Sequence, residues 1–234
     1  MTKNQQLLAK MGGGSLALLL SLSLGQQASA TTLVSNLPST PPMGYPVKFD
    51  EWLRSSFTTG GGSYGYTINS VTLRLAEMTA NPNLFVRLYN DSPGGLGGQI
   101  TSFTNPIFTP NITNDYIFTL TNPQTLASNT DYWLVAGISK DSGEYLWAFT
   151  TLPDQTGSPG WSIGDKPFYS NDQGGTWDNS FATTFSAFQF SVNGTENTSP
   201  PPPTNIPEPG SVVALLGLGG LGLASRLKKL STRA

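Results

Sequence analysis

The middle of this 234-residue chain reads as all-β, a jelly-roll-like β-sandwich flanked by an N-terminal signal peptide and a C-terminal single transmembrane helix. Three observations predict that reading. Short β-branched and aromatic runs recur between turn residues with no sustained helical period. In two of those runs apolar and polar residues alternate along the chain. Two apolar stretches with basic flanks occupy the ends.

Taken in order, Lys3 and Lys10 form a positive n-region and Met11 to Leu24 an apolar h-region. Ala28-Ser29-Ala30 supplies the small residues of a cleavage site, so residues 1–30 are expected to be a signal peptide cut after Ala30. The expected partner of that segment is the Sec export machinery. The sandwich domain is then expected over 31–194.

Composition narrows its chemistry. The chain has no Cys and no His, which removes disulfides, thiol nucleophiles, Ser-His-Asp triads and the usual zinc sites. Between Thr31 and Ile206 six basic residues face thirteen acidic ones, a net charge of −7. An acidic domain without a basic stripe argues against a nucleic-acid partner.

Within the domain, Val71, Leu73 and Leu75 alternate with Thr72, Arg74 and Ala76, and Leu84, Val86 and Leu88 with Phe85, Arg87 and Tyr89. The Ala80-Asn81-Pro82-Asn83 turn between them predicts a hairpin, with Arg74 and Arg87 on the solvent face. Asn90 to Gly95 is a turn cluster, followed by a short strand from Gln99 to Phe103. No Lys-Ser/Thr follows these glycines, so they are not a phosphate loop. Tyr116 to Leu120 is a further strand. Leu126 to Tyr132, entering Trp133-Leu134-Val135-Ala136, has the pattern of a tyrosine corner, in which the phenol bonds backbone just upstream. A catalytic Tyr132 is the alternative. Tyr145 to Thr150 is expected to partner that strand through Asp141-Ser142-Gly143, and Trp133 is expected in the core.

Ser170-Asn171-Asp172-Gln173-Gly174-Gly175-Thr176-Trp177 fits the Asp-box pattern S-x-D-x-G-x-T-W. One copy in a domain this short reads as a single hairpin and not a propeller: the carboxylate accepts backbone N–H bonds, Gly supplies positive φ, and Trp packs beneath. Trp161, Tyr169 and Trp177 are candidates for a glycan platform, with core packing the alternative. Asp154, Asp165, Asp172 and Asp178 lie on loops, without paired-carboxylate or EF-hand spacing, so no catalytic residue, metal or cofactor is assigned. The sequons at Asn111, Asn193 and Asn197 carry no weight without a glycosylating host.

After the domain, residues 195–206 contain Pro200 to Pro203 and read as a semi-rigid spacer. Residues 207–234 hold Pro207-Glu208-Pro209, an apolar run from Val212 to Leu223, and basic Arg226, Lys228, Lys229 and Arg233. As a helix, Ser211 to Leu227 would be roughly 25 Å long, short but sufficient for a ~30 Å hydrocarbon core once Arg226, Lys228 and Lys229 snorkel. Those basic residues predict a cytoplasmic C-terminus.

Pro207-Glu208-Pro209, the Gly/Leu-rich run and the basic cluster together resemble the PEP-CTERM sorting signal of bacterial exported proteins. The resemblance implies recognition by an exosortase-type membrane protease, processing near the triplet, and delivery to the cell surface or extracellular matrix. Ser56 to Gly60, Ile68 to Leu73, Val86 to Tyr89 with Pro93-Gly94, and Thr130 to Leu134 resemble the choice-of-anchor R domain, which implies a surface location and no assigned reaction. The expectation is a structural or adhesive, non-catalytic protein. A carbohydrate-binding module for extracellular polysaccharide, using Trp161, Tyr169 and Trp177, is the alternative.

Overall fold

The computed structural model describes residues 30–37, 43–93, 95–151, 154–165, 167–180 and 187–199. The expected signal peptide, Ala30 apart, and the segments from Pro200 onward lie outside these residues. Among the described residues no helix is long and apolar enough to cross a membrane.

Among the described residues fourteen strands form two antiparallel sheets. They are β1 (Thr31–Ser35), β2 (Met43–Val47), β3 (Trp52–Thr58), β4 (Tyr66–Thr79), β5 (Leu84–Ser92), β6 (Gly95–Ser102), β7 (Thr113–Leu126), β8 (Asp131–Ile138), β9 (Glu144–Thr150), β10 (Thr156–Gly157), β11 (Ser162–Ile163), β12 (Phe168–Ser170), β13 (Ala187–Phe188) and β14 (Phe190–Glu196). The first sheet runs β10-β1-β14-β4-β9-β13, with β2 on β9 and β7 on β4; the second runs β11-β3-β8-β5-β6, with β12 on β3. The expected β-sandwich is the observed architecture, and its last strand continues to Glu196.

The core lies between the sheets. Ile68, Val71, Leu73, Leu75, Tyr145, Trp147, Phe188 and Phe190 come from the first; Leu53, Phe57, Val86, Leu88, Leu134 and Ala136 come from the second. Period-2 alternation delivers these side chains, since every second residue of a half-buried strand faces inward. In β4 the phase changes after Ile68. Ile68 and Val71 are both buried although three residues apart, because the register of β4 slips between Ile68 and Ser70. That bulge adds Asn69 and returns the next apolar residues to the core.

Two expected pairings are corrected. β4 and β5 are not a hairpin: β4 pairs β7, β9 and β14, while β5 pairs β6 and β8. Likewise β9 does not pair β8; it lies in the first sheet against β2, β4 and β13. Both connections arch over the end of the sandwich from one sheet to the other. Asn81, 4% exposed, fastens the two arches. Its amide donates to the Lys140 and Ser142 carbonyls at 3.0 and 2.9 Å, and its Oδ1 accepts from Asn83 N–H at 2.7 Å. Tyr145 Oη lies 3.1 Å from both the N and the O of Asn81.

Trp133 is also corrected. The neighbouring Tyr132 and Leu134 face the core, so the strand period turns Trp133 to the outer face, half-buried.

Candidate ligand-facing site on the second sheet

Four buried tyrosines hold the loops around this framework. Tyr132 Oη accepts the Ala127 N–H at 2.9 Å, the geometry expected of a tyrosine corner. Tyr66 accepts from Gly62 at 3.0 Å, Tyr116 from Thr109 at 3.1 Å, and Tyr145 from Asn81 at 3.1 Å. Each hydroxyl satisfies a backbone donor that would otherwise lack a partner. Burial raises the Tyr145 phenol above its ordinary value, with the Asn81 backbone opposing.

The Asp-box segment forms the expected tight turn. Its flanks, Tyr169 and Asp178, pair as an antiparallel bridge. Asp172 Oδ1 accepts from Ser170 Oγ at 2.7 Å and Thr176 N–H at 2.8 Å, and Oδ2 accepts from Thr176 Oγ1 at 2.8 Å. These bonds, the Ser170 hydroxyl first, hold its carboxyl down at about 2. Gly174 takes φ 85°, a conformation open to glycine without Cβ strain. A Cβ there would sit 2.9 Å from the Trp52 ring. The Ser180 backbone N–H lowers the neighbouring Asp178 carboxyl.

The three nominated aromatics go to different places. Trp161 is 7% exposed, stacks on Phe57 (centroids 5.8 Å apart, planes at 11°) and meets Tyr66 edge-on at 4.8 Å. It lies in the core. Tyr169 stands opposite Leu53 and packs against the core edge beside Tyr45, centroids 5.9 Å apart, with its hydroxyl 3.3 Å from Asp178 Oδ2. Trp177 alone reaches the outer face of the second sheet.

There it meets Arg54, a residue the sequence reading passed over. Arg54 alternates with the inward Leu53 and Phe57 on β3 only if its side chain faces outward, and Phe168 of β12 lies directly opposite it. Its guanidinium carbon sits 4.3 Å from the Trp133 ring centroid, 4.4 Å from Phe168 and 4.6 Å from Trp177. Gly95, at φ 109°, brings its backbone over the same group: an added Cβ would stand 3.2 Å from Nη2. The residue is 4% exposed, and Nε and Nη1 have no hydrogen-bond partner. Burial draws Arg54 down to about 10, opposed by the charge of Asp91; the group remains a cation at neutral pH. Asp91 itself accepts the Trp133 indole N–H at 2.8 Å.

Arg87 belongs to the same row. Val135 of β8 pairs with Arg54 on one side and Arg87 on the other, and directly opposed residues share a face. Arg87 lies over Phe85 at 3.8 Å, and its Nε is buried without a partner. Arg74, by contrast, lies on the outer face of the first sheet and is paired with Asp115 by bonds of 2.7 and 3.0 Å. Both arginines thus take the outward faces expected from their strands. Among the described residues no three acidic side chains gather as a metal site.

Residues 205–229 match the PEP-CTERM protein-sorting motif. The matched stretch contains Pro207, Glu208 and Pro209, the apolar run, and Arg226, Lys228 and Lys229. The motif indicates an exported protein that transits the membrane and is sorted to the cell surface by an exosortase-type membrane protein. No curated protein and no solved structure matches the chain.

Proposed function

We propose that the sandwich is the non-catalytic cargo of this sorting signal, a structural or adhesive domain displayed on the cell surface or in the extracellular matrix. The observation that carries the reading is what the buried tyrosines and the Asp172 carboxylate do. In a chain without His or Cys, the hydroxyls of Tyr66, Tyr116, Tyr132 and Tyr145 and the carboxylate of Asp172 are all engaged in holding turns. Such bonds stabilise a scaffold and leave those groups unavailable as acids, bases or nucleophiles. The resemblance of Ser56 to Val192 to the choice-of-anchor R domain supports the same reading, with the Pro-rich spacer that follows β14 holding the domain away from the bilayer.

The chain then crosses through the Sec machinery, residues 1–30 are cut off after Ala30, and the tail from Pro207 anchors the chain until an exosortase-type protease acts near the triplet. The test is the intact mass and cell fraction of the mature protein, with and without that protease. Accumulation of a membrane-bound, tail-bearing form when the protease is missing is the expected result. A full-length cytosolic chain, or turnover of a chromogenic glycoside lost on one Asp→Asn change, would refute it. A carbohydrate-binding role is the second reading, supported by the half-buried Trp133 and Trp177 around Arg54.

A further inference from the structure

We propose that the outer face of the second sheet binds an acidic polysaccharide through its carboxylates, with Arg54 and Arg87 as the anion contacts and the rings beside them as the walls. The inference rests on the surface-adhesive reading above and names the ligand class that reading leaves open.

Two side chains carry it. A buried guanidinium is costly unless its donors are met, because desolvation penalises the charge and each orphaned N–H. Arg54 leaves Nε and Nη1 unmet, and Arg87 leaves Nε unmet. The aromatic faces around Arg54 offset part of that cost by cation–π attraction, but a ring supplies no hydrogen-bond acceptor lone pair. Asp91, the carboxylate acting on Arg54, is held by the Trp133 indole. The chemical group that completes a planar guanidinium is a carboxylate, whose two oxygens match its fork.

The second cation argues for a polymer. Arg54 and Arg87 flank Val135 in one cross-strand row, so their strands lie roughly 10 Å apart, two inter-strand spacings. Each cation rests on an aromatic face, Arg54 on Trp133, Phe168 and Trp177, and Arg87 on Phe85. A repeated cation-on-ring unit suits a chain that repeats both a carboxylate and an apolar ring face, as a polymer of uronic acids does. Trp177 sits on the Asp172 turn, so the ring over Arg54 is carried by a short exposed hairpin and not by the central sheet. Displacing that ring opens the guanidinium to the ligand.

The experiment is binding of the full chain, held in detergent, to sodium polygalacturonate, compared with its fully methyl-esterified form, neutral dextran and dextran sulfate. Binding to polygalacturonate alone is expected, weakening as salt rises. Arg87→Gln and Arg54→Lys should each weaken it about tenfold, the usual loss for a hydrogen bond to a charged group. Arg87 is half-buried, so its variant keeps the test valid if Arg54 variants unfold; melting curves identify that case. Arg74→Gln, an equal charge change on the other sheet, should leave binding intact. Equal binding to the methyl ester or to dextran sulfate, an equal loss in Arg74→Gln, or no binding by a correctly surface-sorted chain would each overturn the proposal. The last result would leave the sorting and scaffold reading standing.

Discussion

Tyr145→Phe removes one oxygen from the joint that ties the two arches. In the wild type that oxygen accepts the Asn81 N–H at 3.1 Å and lies 3.1 Å from the Asn81 carbonyl and 3.3 Å from Glu77 Oε1. Asn81, Glu77 and Tyr145 are all buried, so water does not replace the lost partner without opening the arch. Leaving one buried donor unmet costs about 1–3 kcal/mol. A domain of this size loses roughly 2–4 °C of Tm per kcal/mol. With about 2 kcal/mol for the orphaned amide, the expected drop is about 4–8 °C. Tyr89→Phe is the control, because its hydroxyl reaches only Gln99, at 3.5 Å on the exposed face, where substitutions stay within about 0.5 kcal/mol. Thermal unfolding followed by near-UV circular dichroism, with a guanidinium titration to check that the slope is unchanged, separates the two. If Tyr145→Phe melts within ~1 °C of Tyr89→Phe, a shift of about 0.5 kcal/mol or less, the hydroxyl does not hold the arches together and the argument from Asn81 fails.

Two further expectations follow from the site geometry. Trp161→Ala should cost about 3–5 kcal/mol, the usual penalty for truncating a core Trp, while Trp177→Ala should cost about 1–2 kcal/mol, mainly its contact with Arg54. Equal losses by chemical denaturation would contradict the separate placement of the two rings. Asp172, depressed in the folded state, contributes its tether fully above the ordinary value of 3.8 and loses it as pH falls through about 2. A carboxyl-carbon NMR titration should find its midpoint near 2; a midpoint near 3.8 would mean that the Ser170 and Thr176 bonds are not maintained in solution.

Local chemistry was the part most legible in the sequence. The tyrosine corner at Tyr132 and the Asp172 turn were readable because their partners lie within a few residues, at Ala127, Ser170 and Thr176. Tyr145 offers no such signal: its partner Asn81 is 64 residues away. Arg54 was missed for a related reason. Nothing beside it on β3 names its surroundings; Trp133, Phe168 and Trp177 arrive from β8, β12 and the turn after it. The sequence leaves Trp161 between a core anchor and a platform ring, because the Phe57 and Tyr66 rings that bury it are supplied by other strands.

The pairing errors have a geometric origin. Alternation fixes which side chains of a strand face the core, but a strand in either sheet of a sandwich presents its apolar face to the same core. β4 and β5 therefore carry the same pattern whether they pair or oppose each other. Connector length removes part of the ambiguity. Packed sheets stand about 10 Å apart and each extended step spans about 3.3 Å, so a two-residue link, three steps, barely reaches when fully taut, whereas a four-residue link crosses with slack. Only Pro93 and Gly94 separate β5 from β6, and these strands do pair, Ser92 against Gly95. Residues 80–83, 127–130 and 139–143 are each long enough to cross, and all three do. Length permits the arch, and Asn81 selects it. Its amide bonds to Lys140 and Ser142 bring the 80–83 and 139–143 connectors together at one end of the sandwich, and a β4–β5 hairpin would leave that buried amide without those partners.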